Sequence, residues 1–225
     1  MNDITIVIAT YNRPAYLQEM LRSVLEAADR VPNKVKLVVI DDHSDTIETK
    51  NVVYDFGLDK VDYYRLPENR GVAGALYAGF QHVDTEFYAL WGDDDVFLPN
   101  WFTLHLAKIA EGFDVVAGSY WRTDANLNRK KRAVILPVAT LDDLMEGHNA
   151  CNDGALVRTE RALPFRPDRE RAMMMTFWMA MLAAGRTFGV VEKPTWLYRR
   201  HTTNLSLHRS EHDNELRRQA IAEYA

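Results

Sequence analysis

Asp93, Asp94 and Asp95 stand side by side, directly after the apolar run Phe87–Trp91 and Gly92 and just ahead of Pro99. Three neighbouring carboxylates repel one another, and at the mouth of a sheet part of their hydration is lost. A divalent cation relieves that conflict, because hard carboxylate oxygens suit Mg²⁺ or Mn²⁺, and such a cation can hold a phosphate. The same residues also suit a solvated acidic turn with a helix cap, so their surroundings must decide.

A strand has to deliver that turn, and the chain supplies several. Ile4–Ala9 is a continuous β-branched and apolar run, the mark of a strand buried on both faces. Val35–Ile40 is a second such run, Val61–Arg65 a short third, Phe87–Trp91 a fourth and Val115–Trp121 a fifth. Helical spacing fills the gaps. Pro14 opens a helix carrying Leu17, Met20, Leu21, Val24 and Leu25 on one face, and further helices are expected over Thr46–Phe56, Gly71–His82 and Asn100–Glu111. Gly74 and Gly79 weaken the third of these helices, which points to close approach of something to its backbone. Strand and helix alternating at this spacing define an α/β fold with a mostly parallel central sheet flanked by helices.

Beyond Ser119 the pattern is less regular. Thr123–Arg132 is polar and basic and reads as a hairpin or loop, Leu141–Glu146 as a short helix and Ala155–Arg158 as a short strand. Arg171–Ala184 is a Met-rich helix ended by Gly185, Phe188–Glu192 a strand, and Ser210–Tyr224 a polar helix. We expect one domain over residues 1–225, with a nucleotide-type half over 1–119 and an irregular elaboration over 120–225 carrying the acceptor side.

In open α/β sheets ligands bind at the carboxyl ends of the strands. Three such ends are chemically loaded here: Thr10-Tyr11-Asn12-Arg13, Asp41-Asp42-His43-Ser44-Asp45, and the acidic run. Glu68-Asn69-Arg70-Gly71 adds a polar loop near the same edge. Thr10, Asn12 and Arg13 can bond or pair with a nucleotide, and Asp42 can accept from a base N–H or a ribose hydroxyl.

The totals narrow the classes. A net charge of −5 argues against a nucleic-acid binder, and an apolar fraction of 47% supports a buried core. Cys151 is the only cysteine, so no intrachain disulfide or cysteine-rich metal site forms within these residues. No secretory leader follows Met1 and no window approaches the roughly 20 apolar residues of a membrane span. We therefore expect a cytoplasmic protein, with peripheral contact at the inner face of the membrane left open.

Taken in order, Val7–Pro14, Val38–Ser44, Asn69-Arg70-Gly71, the acidic run through Pro99, and Leu197-Tyr198-Arg199-Arg200-His201 with Ser206 resemble family 2 glycosyltransferases of the GT-A fold. The resemblance spans about residues 4–206. It implies an enzyme that moves a sugar, with inversion, from a nucleotide-diphospho-sugar to a glycan or lipid-linked acceptor in cell-surface or polysaccharide synthesis. By the same resemblance Thr10, Tyr11, Asn12, Arg13, Asp42, Asn69, Asp93 and Arg199 bind the donor. Asp94, Asp95 and His201 hold Mn²⁺ or Mg²⁺. The leading Asp of the family's Asp-x-Asp falls on Gly92 here.

The chain departs from the family at the general base. Matching Trp178 to the family's tryptophan puts Met173-Met174 where a Glu-Asp pair is usual, and methionine accepts no proton. Asp168 or Glu170, upstream on a shifted helix start, can supply the carboxylate, and so can Asp153. Otherwise the scaffold binds a sugar nucleotide or glycan without turnover. A nucleotidyltransferase or kinase-type phosphate loop is disfavoured, because Ala9–Pro14 contains no glycine. The methionines also suit plain core packing or an apolar acceptor groove. Arg129–Arg132 is either a solvated basic loop or a contact for anionic lipid headgroups. Trp91, Trp101, Trp121 and Trp196 can stack on sugars or fill the core.

Overall fold

The computed structural model describes residues 3–145, 154–163 and 173–204, with positions 215, 219 and 222 beyond them. Its first part alternates as the periodicity requires: β1 (Ile4–Thr10), α1 (Pro14–Ala28), β2 (Val35–Asp41), α2 (Glu48–Phe56), β3 (Val61–Arg65), α3 (Gly71–Phe80) and β4 (Phe87–Gly92). There follow β5 (Val96–Phe97), α4 (Trp101–Ile109), β6 (Val115–Thr123), β7 (Arg129–Ala133), α5 (Leu141–Met145), β8 (Leu156–Arg158), α6 (Met173–Ala183) and β9 (Phe188–Arg199). The mixed α/β architecture expected of a GT-A-like fold is observed.

The strands form one sheet in the order β3-β2-β1-β4-β8-β6-β9-β5, with β7 also paired to β6. β3, β2, β1 and β4 are parallel. β8 runs antiparallel to both β4 and β6, and β9 is parallel to β6. β6 and β9 therefore point the same way as β1 and β4. Thr10, Asp41, Gly92, Thr123 and Arg199 all end on one edge, and that edge carries the polar loops.

Both faces of the sheet are covered, which is why its central strands read as unbroken apolar runs. Ile4, Ile6 and Ile8 pack with Leu17, Met20, Leu21, Trp101 and Phe102 on one side. Val7 and Ala9 pack with Ala73, Leu76, Phe177 and Trp178 on the other. The α3 glycine is explained by this layer: a Cβ on Gly79 would lie 2.2 Å from Val7 Cγ1, so only glycine lets the helix sit so low on β1 and β2.

Three expectations change. β9 continues from Glu192 through Arg199, bulging past Pro194 to follow β6. A two-residue strand, β5, follows the acidic run before the helix and pairs with Trp196 and Leu197. Trp91, Trp101 and Trp196 are buried in one aromatic cluster, with Trp91 and Trp196 centroids 5.3 Å apart, and so are not free to stack on a sugar. The basic run forms the exposed outer strand of a β6–β7 hairpin.

Candidate active site

The acidic run sits where β4 ends beside β1, and its three side chains go to three different places. Asp93 turns inward. Its Oδ2 accepts from Thr10 Oγ1 at 2.6 Å, and its Oδ1 pairs with Arg13 Nη2 at 2.7 Å. Asp94 is the least buried of the three, and its Oδ2 lies 3.0 Å from Arg13 Nη1 and 2.9 Å from His201 Nε2. Asp95 Oδ1 accepts the backbone N–H of Arg199 at 2.9 Å, which anchors the turn to β9. Gly92 leaves the room this needs, since a Cβ there would stand 3.0 Å from Asp94 Oδ1.

Two adjacent carboxylates are thereby driven apart electrostatically. Burial pushes Asp93 up to about 7, and the Arg13 guanidinium and the Thr10 hydroxyl only partly offset that. Burial acts on Asp94 in the same direction, but the hydrogen bond to His201 and the charge of Arg13 outweigh it and hold Asp94 below the usual carboxylate range. At neutral pH the less buried Asp94 is ionised, while its inward neighbour Asp93 is balanced between states.

His201 is held from several sides. Thr203 Oγ1 lies 2.8 Å from its Nδ1, its backbone N–H donates to Asn204 Oδ1 at 2.6 Å, and the Tyr16 ring is 5.1 Å away. Asn204 Nδ2 also reaches the Arg199 carbonyl at 3.1 Å. The imidazole therefore presents Nε2 to Asp94 in a fixed orientation.

Arg199 takes a role that residue type alone did not suggest. It is 2% exposed, and its nitrogens are all engaged: Nε donates to the Asp94 carbonyl at 2.8 Å, Nη1 to the Ala125 carbonyl at 2.9 Å, and Nη2 pairs with Glu19. Its guanidinium lies 4.5 Å from the Tyr16 ring centroid. It ties α1, the acidic turn and the β6–β7 loop together and faces these partners rather than open solvent.

A second cluster lies at the end of β2. Asp42 Oδ1 accepts the Arg70 N–H at 2.7 Å, and Asn69 Nδ2 donates to the Asp42 carbonyl at 3.1 Å, so the Asn69-Arg70-Gly71 loop is docked on Asp42. Asp41 is buried and accepts from the Ser44 N–H at 2.8 Å and from Tyr63 Oη at 2.6 Å; burial, with Asp41 beside it, raises the Tyr63 phenol. Asn12, at a φ of 55°, bonds Ser44 and Asp45 and so latches the β1 loop to the β2 loop. Tyr11 is 39% exposed at the rim.

Of the residues singled out from sequence, Thr10, Arg13, Asp93, Asp94 and His201 meet in one place. Asp42 and Asn69 meet in a neighbouring one, bridged to the first by the Asp42 N–H to Thr10 carbonyl bond of 2.9 Å. Asp168, Glu170, Asp153 and Ser206 lie outside the described residues. Glu19, Tyr16, Thr203 and Asn204 were missed. Only Asn204 carried a local signal, a polar residue three after His201.

The sequence pattern of Glycosyl transferase family 2 matches residues 5–173, and the chain belongs to that family of glycosyltransferases. Over 213 residues it is 28% identical to an undecaprenyl-phosphate 4-deoxy-4-formamido-L-arabinose transferase of Shewanella sediminis, covering 92% of this chain and 59% of that protein. Among solved structures, S. aureus TarS 1-349 in complex with UDP-GlcNAc superposes with a TM-score of 0.80 at 18% identity, covering 98% of this chain and 66% of that one. The mannosyltransferase PcManGT of Pyrobaculum calidifontis, in complex with GDP-Man and Mn²⁺, gives 0.66 at 16% identity, covering 91% and 60%. At these identities the two structures speak for a shared fold. The chain spans about three fifths of the length of the curated relative it matches. Among the described residues no helix is long and apolar enough to cross a membrane.

Proposed function

We propose that this protein transfers a glycosyl group, with inversion, from a nucleotide-diphospho-sugar to an acceptor oxygen in glycan or lipid-linked polysaccharide synthesis. One observation carries the reading: Thr10, Arg13, Asp93, Asp94 and His201, from three remote parts of the chain, converge at the carboxyl edge of the parallel strands. Asp42 with its docked Asn69-Arg70 loop lies next to them and suits the base and ribose. The sugar nucleotides bound to the TarS and PcManGT structures support a donor of this class.

A divalent cation fits the donor set. Mg²⁺ and Mn²⁺ are commonly held by one or two protein groups and completed by substrate phosphate oxygens. Asp94 Oδ2 and His201 Nε2 converge as such a pair, although no cluster of three or more acidic, His or Cys ligands occurs among the described residues. Asp94 and His201 are the residues that would hold the ion, with Asp95 fixing the turn from behind. When bound, the ion supplies positive charge that stabilises the departing diphosphate. The chain's own contribution is to keep Asp94 ionised, through Arg13 and His201, and to fix the imidazole, through Thr203 and Asn204.

The acceptor oxygen must attack from the face opposite the diphosphate, and a hydroxyl acceptor needs a base there. Asp168 and Glu170 are the carboxylates just ahead of α6 in sequence, and Asp153 stands further upstream. The name of the Shewanella relative points to another solution, a lipid phosphate as acceptor. A phosphate oxygen is already ionised at neutral pH and requires no proton removal. Met173-Met174 in place of the usual acidic pair is consistent with such an acceptor.

A non-catalytic sugar-nucleotide binder is the second reading, favoured by the burial of Met173 where a base is usual. Thermal melts with UDP- and GDP-sugars, with and without Mn²⁺, test donor binding through linkage. A cation-dependent rise in Tm with at least one donor is expected, and no rise with any of them would defeat both readings. Incubation with a polyprenyl phosphate and with hydroxyl acceptors then separates the two. Glycosyl transfer to either supports the enzyme, and donor binding without product supports the binder.

A further inference from the structure

The β6–β7 hairpin carries an unusual surface for an acidic protein. Residues 124–136 hold four basic side chains and one acidic one, while the whole chain is at −5. Arg129, Lys130, Lys131 and Arg132 are all exposed. Arg122 and Lys131 are direct cross-strand partners, so two like charges face each other on one side of the ladder, which weakens an isolated hairpin. Arg122 Nε–H is buried without an acceptor. An anionic layer against this edge relieves the repulsion between Arg122 and Lys131.

The opposite side of the hairpin is amphipathic. Trp121 pairs with Arg132 across the ladder, and the Arg129 guanidinium lies 5.5 Å from the Trp121 ring centroid. Just past β7, Val134 and Leu136 are 50% and 48% exposed, while Ile135 between them is 5% exposed and donates its N–H to Ser119 Oγ. A tryptophan, two aliphatic tips and flanking arginines form the combination that settles at the headgroup boundary, with the apolar parts entering and the charged ends reaching phosphates. A nucleic acid would engage the charges but gain nothing from the exposed Val134 and Leu136.

We infer that the β6–β7 hairpin docks this protein on an anionic lipid surface, with Arg129–Arg132 contacting headgroups and Trp121, Val134 and Leu136 entering the interfacial layer. The position of the hairpin gives the docking a use. Thr123 is in register with Arg199, and the Arg199 guanidinium joins the Ala125 carbonyl of the hairpin loop to the Asp94 carbonyl. Docking at this edge brings the open end of the site to the membrane, where a lipid-linked acceptor resides. That use, though not the docking, rests on the transfer reading above.

The test is co-sedimentation, without donor, on vesicles of phosphatidylcholine alone and of phosphatidylcholine mixed with phosphatidylglycerol. Wild type is expected to bind only the mixed vesicles, and less as salt rises. The R129Q/K130Q/K131Q/R132Q variant should partition about 1,000-fold less, at about 1 kcal/mol for each charge removed. Val134→Ser with Leu136→Ser should partition about 10-fold less while keeping the salt dependence. Equal binding to both vesicle types, or a quadruple variant that binds like wild type, overturns the proposal. Binding to duplex DNA without binding to mixed vesicles also overturns it, in favour of a polyanion partner. Should a variant fail to fold, the salt titration and the neutral-vesicle control on wild type decide alone. Donor affinity measured on the same folded variants is expected to be unchanged, so failure of docking and failure of the transfer reading are told apart.

Discussion

Asp93–Asp95 and Met173–Met175 are both runs of one residue type, and the fold treats them in opposite ways. The aspartates are separated by directional bonds: one to Thr10 and Arg13, one to His201 and Arg13, one to the Arg199 backbone. The methionines are graded by depth. Met173 is buried with Phe177 and Trp178, while Met174 and Met175 are half-buried. Polar chemistry is thus concentrated at the strand ends, and the start of α6 is given over to packing. Adjacent identical residues can carry distinct roles only where geometry offers each a distinct partner.

The most damaging way to challenge that contrast is to place a carboxylate where the family's usual pair would lie. Met173→Glu buries a charge among Phe177, Trp178 and Met181, and we expect a loss of about 4 kcal/mol of stability, read from urea denaturation. A stable variant would mean that this end of α6 opens into the cleft instead.

His105 tests the same contrast at a polar group set inside apolar packing. It is fully buried, stacked 4.2 Å from Trp101 by ring centroids, with Nδ1 2.8 Å from the Trp101 carbonyl and no partner at Nε2. Burial lowers it from 6.5 to about 4, so the folded protein keeps it neutral while the unfolded chain protonates. Its contribution is complete above pH 6.5 and is lost as pH falls toward 4, by up to about 3 kcal/mol. Asp93 works the other way: its raised value makes the folded state the tighter proton holder, so that contribution fades as pH climbs from 3.8 to about 7. The stability difference between wild type and His105→Phe cancels the Asp93 part. It should grow with pH across that window, and a flat difference would remove His105 as the cause.

Within the site, Asp94→Ala should weaken donor binding in Mn²⁺ about 100-fold by calorimetry, or about 2.7 kcal/mol. Unchanged affinity would dismiss the pairing with His201 as a cation site. The smallest effect is expected from Thr10→Val, which removes one donor to Asp93 while Arg13 remains. A loss of about 1.5 kcal/mol in urea, with donor affinity changed only a few-fold, would place Thr10 as a support for the turn.

The first four strands and their helices were legible because burial on both faces writes an unbroken apolar run into each strand, as in Ile4–Ala9. β5 was not legible: two residues carry no period, and Val96–Phe97 is a strand only because Trp196 and Leu197, a hundred residues away, align with it. The acidic turn was visible as a group, but its division of labour depends on Arg13 and His201, which arrive through tertiary contacts. Arg199 entered the donor set through the family resemblance; that its side chain reaches Glu19, Ala125 and the Asp94 carbonyl is set by the sheet order, which no local pattern displays. Tryptophan type likewise could not tell a sugar platform from the interior, and burial decided it for Trp91, Trp101 and Trp196.

Arg199 has a dynamic consequence. Because one planar group closes bonds to helix α1, to the hairpin loop and to the acidic turn, none of these segments can swing outward alone without stranding a buried cation. Amide exchange around positions 94, 125 and 199 should accordingly proceed as one cooperative opening with a shared free energy. Replacement by lysine, whose single ammonium cannot span three directions, should split that event into separate, faster openings.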